Sequence, residues 1–209
     1  MSNILYIQAS PRKERSHSIA AADAFVAAYK EKDPTAKVTV LNLFETKLPD
    51  FDADGVSGRY KLGQGLDATP EEKAAWDKVL EVIALFKAAD KYVFAVPMWN
   101  FGIPYKLKQF VDLVAHPTHT FGYNENGYFG LVTGKPAFVA YSRGGEYPAG
   151  TPAENYDFQK RYFNFILGFM GFTDITTVEV EPTLAGGPDV AAERRKAAIA
   201  KAAELAGNF

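Results

Sequence analysis

Apolar residues recur along this chain with two different periods. Five short runs read as β-strands: Ile4 to Ala9, Lys37 to Leu43, Lys91 to Val96, Lys135 to Ser142 and Asp174 to Val180. Each is brief, rich in β-branched or aromatic residues, and bounded by turn-forming residues. The segments between them carry the helical period. Ser18 to Lys32 places Ile19, Ala22, Phe25, Val26 and Tyr29 on one face, and Asp33-Pro34 ends it. Thr69 opens a helix reaching about Ala88, with Pro70 at its first position and Glu72 three residues after the cap, as a capping box requires. Further helices are expected from Pro104 or Tyr105 to Ala115, from Ala153 to Gly168, and from Val190 to Ala206. Strands that alternate with helices throughout predict an α/β fold, a doubly wound five-stranded parallel sheet with helices on both faces. In the five-stranded order 2-1-3-4-5, strand order reverses between the first and third strands.

Two stretches break the alternation. Phe44 to Pro70 is too long for a simple connection and is expected to hold a brief helix over Ala53 to Tyr60. His116 to Val132 carries a hairpin signal around Asn126-Gly127.

Composition narrows the picture. A length of 209 residues suits one domain, spanning 1–209. The net charge of −2 gives no electrostatic reason to bind nucleic acid or an anionic membrane. The absence of cysteine removes disulfides, thiolate nucleophiles and cysteine-based metal sites. No apolar stretch approaches the roughly 20 residues needed to span a bilayer, and no signal-peptide pattern opens the chain, so a cytoplasmic location is expected.

In a sheet of this kind ligands bind beyond the C-terminal strand ends, where strand order reverses. Three loops meet there. Ser10 to Ser18 joins a strand to a helix start and contains Ser10, Ser16, His17 and Ser18, with Arg12, Lys13 and Arg15 among them. These serines suit either a helix cap or a phosphate site. Pro97 to Ile103 offers Met98, Trp99, Asn100 and Phe101, an apolar surface beside an amide. Ser142 to Gly145 offers Ser142, Arg143, Gly144 and Gly145, with two glycines that let backbone approach a flat ring. A phosphate joined to a planar, hydrogen-bonding heterocycle suits all three loops, and flavin mononucleotide (FMN) is such a molecule.

Taken together, these motifs resemble the FMN-dependent NADH-azoreductase and NADH:quinone oxidoreductase family, which has a flavodoxin-like fold. The resemblance rests on Ser10 with Ser16-His17-Ser18, Pro97 to Phe101 with Ile103-Pro104 and Leu107-Lys108, Asp112 to Ala115, Thr120-Phe121, Asn126-Gly127, Gly130 to Lys135, and Ser142 to Gly145. It covers nearly the whole chain. It implies that Ser10 and Ser16 to Ser18 hold the FMN phosphate, that Met98 to Phe101 and Ser142 to Gly145 flank the ring, and that the protein is a homodimer. It implies NADH as donor and two-electron ping-pong hydride transfer to quinones and azo compounds, with the flavin rather than a side chain as the reacting group. Phe121, Tyr128, Phe129 and His119 are expected to line the substrate pocket, the aromatics serving either as cover over the flavin or as packing within the hairpin and across a dimer contact. His116 and His119 lie too close to Pro117 for a metal site. Two departures from the family pattern bear on substrate range: His116-Pro117-Thr118-His119 stands where an Arg and a Gly are usual, and Gly122 replaces a larger residue. The alternative reading is a flavodoxin-type electron carrier without its own substrate, against which the weak net charge and the two extra stretches argue. A receiver domain is rejected for lack of acidic residues at the first and third strand ends, and a dinucleotide-binding fold for lack of G-x-G-x-x-G.

Overall fold

The computed structural model describes residues 2–209. Its elements run β1 (Asn3–Gln8), α1 (His17–Lys32), β2 (Lys37–Asn42), α2 (Ala53–Gly63), α3 (Pro70–Lys87), β3 (Lys91–Pro97), α4 (Tyr105–Val114), β4 (Phe121–Asn124), β5 (Gly127–Gly130), β6 (Ala137–Ser142), α5 (Phe158–Met170), β7 (Ile175–Val180) and α6 (Gly187–Leu205). The main sheet has five parallel strands in the order β2-β1-β3-β6-β7. This is the expected 2-1-3-4-5 order with the hairpin strands β4 and β5 counted in. Those two pair only with each other, antiparallel.

Alternation along the strands explains the two faces. Leu5, Ile7, Phe94, Val96, Val139 and Tyr141 point to one side and meet Val79, Ile83 and Phe86 of α3, Phe110 of α4, and Phe163 and Leu167 of α5. Ile4, Tyr6, Val93, Ala95, Phe138 and Ala140 point to the other side and meet Ile19, Ala22 and Phe25 of α1, with Ala198 and Ala202 of α6. Phe25 stacks on Phe138 with ring centroids 3.8 Å apart. The small alanines of α6 let it lie close against α1.

Local signals set the helix ends. The capping box of α3 is complete: Thr69 Oγ1 accepts from the Glu72 amide and Glu72 Oε2 accepts from the Thr69 amide. Glu72 also takes Lys61 Nζ at 2.7 Å and the Ser57 hydroxyl, which joins α2 to α3. Those bonds, Lys61 first, hold its carboxyl at a pKa of about 2.

Four helix boundaries differ from expectation, one of them the start of α6, which begins at Gly187 rather than Val190. Helix α2 continues past Tyr60 to Gly63. The aromatic segment after Thr151 is a 3-10 turn (Pro152–Tyr156) followed by α5, because Asp157 caps a new helix by accepting from the Lys160 amide at 2.8 Å. Helix α5 then passes Gly168 and stops at Gly171, whose φ of 113° is the left-handed stop that glycine permits.

Candidate functional site

The loops after β1, β3 and β6 leave adjacent strands of the sheet. The Ala9 amide donates to the Ala95 carbonyl at 3.0 Å, and the Met98 amide to the Ser142 carbonyl at 2.8 Å, so backbone bonds tie the first loop to β3 and the second to the third. In the first loop Ser10, Ser16 and Ser18 are all buried. Ser16 caps α1 by accepting from the Ile19 amide, and its hydroxyl lies 3.2 Å from that of Ser18. The amides of His17 and Ser18 begin the helix and therefore have no intrahelical acceptor. His17 Nδ1 is buried and has no partner among the described residues. Burial, with Arg195 and Arg12 nearby, lowers its pKa and keeps the imidazole neutral at pH 7.

Charge around this loop is placed unevenly. Arg12, Lys13 and Arg15 all point into solvent, and Lys13 is bound to Glu45 at 2.9 Å. A cation from the far end of the chain sits closer in: Arg195 of α6 donates to the carbonyls of Glu14 (2.9 Å) and Ser16 (3.4 Å).

The second loop is held open by its own backbone. Trp99 and Gly102 exchange two backbone hydrogen bonds, at 2.9 and 3.0 Å, and force Asn100 (φ 48°) and Phe101 (φ 66°) into the left-handed region. Such strain in non-glycine residues accumulates where function needs a particular shape. The amides of Asn100 and Phe101 donate to no acceptor among the described residues, and neither do those of Gly144 and Gly145. Trp99, Asn100 and Phe101 are exposed and Met98 is half-buried.

Arg143 lies differently from its neighbours in the third loop. Its side chain is buried, 3.0 Å from Asp157 and 3.3 Å from Glu181, so it joins the loop to the start of α5 and the end of β7 rather than facing solvent. A Cβ at Gly144 would lie 2.9 Å from Leu184, so the β7–α6 segment packs directly behind the loop.

The residues expected at the substrate opening divide into groups. Phe121 lines an open depression of about 1090 Å³ together with Trp99, Asn100, Tyr105, Arg59 and His116. Tyr128 and Phe129 lie outside that depression, on β5, where Tyr128 packs on Phe121 and on Phe169 of α5. His119 faces a separate hollow with Trp76 and Tyr60. Gly122 is explained by Phe129: a Cβ there would fall 2.4 Å from the Phe129 ring, which occupies the space of a side chain.

The flavodoxin-like fold family matches residues 2–206. An FMN-dependent NADH:quinone oxidoreductase of Nitratidesulfovibrio vulgaris is 58% identical over 209 residues, with both chains fully covered. This chain belongs to that family. Among solved structures, the azoreductase from Bacillus anthracis str. Sterne superposes with a TM-score of 0.92 at 34% identity, over 100% of both chains. An FMN-dependent NADH-azoreductase from Bacillus anthracis str. Ames Ancestor, solved in complex with FMN, gives a TM-score of 0.87 at 29% identity, covering 99% of this chain and 100% of its own. The phosphate-and-ring arrangement of the three loops fits FMN on its own chemistry. Buried hydroxyls, a helix start and an orphaned imidazole nitrogen stand at one end, and four unpartnered amides stand at the other.

Sequence reasoning passed over Arg59 and Arg195. Arg59 lies in the long connection after β2, where no motif marks it. Arg195 sits in a helix whose composition is that of any solvated surface helix.

Proposed function

We propose that this chain is an FMN-dependent oxidoreductase that uses NADH to reduce quinones to hydroquinones and azo compounds to amines, in two-electron ping-pong steps. Bound FMN supplies the centre that takes up and passes on hydride. The hydroxyls of Ser10, Ser16 and Ser18 and the first amides of α1 bind its phosphate, where the helix start favours negative charge. Met98 to Phe101 and Ser142 to Gly145 would hold its ring between them, and their free amides would serve as donors to it, favouring negative charge there. Arg143 serves this wall from behind, through its ion pairs. Protons come from solvent, so no side chain needs to act as a general acid.

The observation that carries this reading is the set of four unpartnered amides in two loops joined by the Met98–Ser142 hydrogen bond, beside the serine-rich helix start. Phe121, with Trp99, Asn100, Tyr105 and Arg59 in the adjoining depression, forms the substrate side. We further propose that the chain is one domain, works as a homodimer and resides in the cytoplasm. Among the described residues no helix is long and apolar enough to cross a membrane. A flavodoxin-type carrier would need neither the depression nor the hairpin.

The test is direct. Purified protein should carry a yellow flavin spectrum that bleaches when NADH is added without air and returns on adding a quinone. If the protein neither retains nor takes up FMN, or if NADH leaves bound FMN oxidised, the enzyme reading is wrong. Reoxidation by one-electron partners alone would favour the carrier.

A further inference from the structure

We propose that Arg195, on the last helix, is a positioning residue for the FMN phosphate: its guanidinium fixes the Glu14–Ser16 backbone behind the phosphate loop and brings a positive charge there. This rests on the placement of the phosphate proposed above, but Arg195 itself lies behind the loop and is not part of it.

The geometry is that of a clamp. One guanidinium takes two carbonyls two residues apart, Nη2 donating to Glu14 O at 2.9 Å and Nη1 to Ser16 O at 3.4 Å. A planar fork suits such a pair, because it presents two donors in one fixed geometry. The Ser16 carbonyl also accepts from the Ala20 amide at 3.1 Å, so it points down the axis of α1. A trans peptide is planar, with N–H and C=O opposed. Holding the Ser16 carbonyl in that direction therefore turns the His17 N–H out of the helix start, toward the phosphate position.

The charge matters as well as the fork. Lys13, the loop cation with a partner, is neutralised by Glu45, while Arg12 and Arg15 point into solvent. Arg195 is partly buried, and no carboxylate lies within ion-pair distance of it among the described residues. Asp23, which accepts from the Tyr6 hydroxyl, is near enough to feel Arg195 but forms no ion pair with it, so the charge is held mainly by carbonyl oxygens and acts on an anion on the other side of the loop. Its influence on the lowered pKa of His17 is consistent with that closeness.

The experiment compares FMN with riboflavin, which has the same ring and no phosphate. Dissociation constants for both are measured by fluorescence quenching on wild type, Arg195→Met and Arg195→Lys. Wild type should prefer FMN strongly. Arg195→Met should lose about tenfold in FMN affinity, as for one charge-assisted hydrogen bond, with riboflavin affinity unchanged. Arg195→Lys should fall between the two. An unchanged FMN-to-riboflavin ratio in Arg195→Met overturns the proposal, as does equal weakening of both ligands, which would mark a general structural role. Should Arg195→Met not fold, Arg195→Gln takes its place, and an unchanged FMN-to-riboflavin ratio there overturns the proposal. Wild type that binds both flavins equally would refute the phosphate placement instead, so the two failures are distinguishable.

Discussion

His116 shows how one buried side chain makes stability depend on pH. It is 4% exposed, wedged between Phe51 and Trp76 with ring centroids 5.1 and 5.0 Å away, and its Nε2 has no partner among the described residues. Burial first, then Arg59 and His119, lowers its pKa from 6.5 to about 4. The unfolded chain therefore takes up a proton near pH 6.5 that the folded chain refuses until about pH 4. Stability from this group is complete above pH 6.5, falls as pH drops through that window, and levels off below it. His17 and His119, whose pKa values are also lowered, act in the same direction. In thermal melts from pH 7 to 4.5, His116→Phe should lose on the order of 2 kcal/mol less stability than wild type. Parallel melting curves for the two proteins across that range would show that the folded protein protonates His116 as readily as the unfolded chain does. The sequence marks residues 116–119 as a departure from the family pattern, but it has no means of revealing that Phe51 and Trp76 close over the first of them. Those contacts join segments brought together only by the fold.

At the scale of elements, the β4–β5 hairpin is fastened to the end of α5 by backbone proximity. A Cβ at Gly130 would lie 2.2 Å from the Gly171 Cα and N, and the Val132 amide donates to the Met170 carbonyl at 2.8 Å. Main chain cannot move aside as a side chain can. Gly130→Ala should therefore destabilise the protein by about 2–3 kcal/mol, seen as a lower urea midpoint. An unchanged midpoint would mean that the hairpin floats free of α5. Elements of this kind were legible where a local signal stands next to the period: Thr69-Pro70-x-Glu72 announces α3, and Asn126-Gly127 announces the hairpin. They were less legible in α5, where Tyr156 and Phe158 prolong the aromatic pattern across a real break. Asp157, the cap that makes the break, is hidden between them.

At the scale of the molecule, the hairpin and α5 present a continuous aromatic surface. Tyr123 and Tyr128 have ring centroids 5.2 Å apart, Tyr128 lies 5.4 Å from Phe169, and Phe165 lies 6.3 Å from Phe169, with Tyr123, Tyr128 and Phe165 exposed. If this surface joins two copies, sedimentation should return twice the 23.0 kDa chain mass, and Phe165→Glu should shift the protein toward single chains at micromolar concentration. A wild-type protein that sediments as one chain would contradict the dimer. Sheet order and the three site loops could be read from the chain because each follows a strand that alternates with a helix. The part played by α6 could not, since nothing in Val190 to Ala206 hints at what lies across from it. The bonds from Arg195 to Glu14 and Ser16 span 181 and 179 positions of sequence. During synthesis the loop therefore emerges well before the arginine that supports it from behind. At about 5–20 residues per second that interval is on the order of ten seconds or more. The loop thus waits for its rear support until α6 has been made.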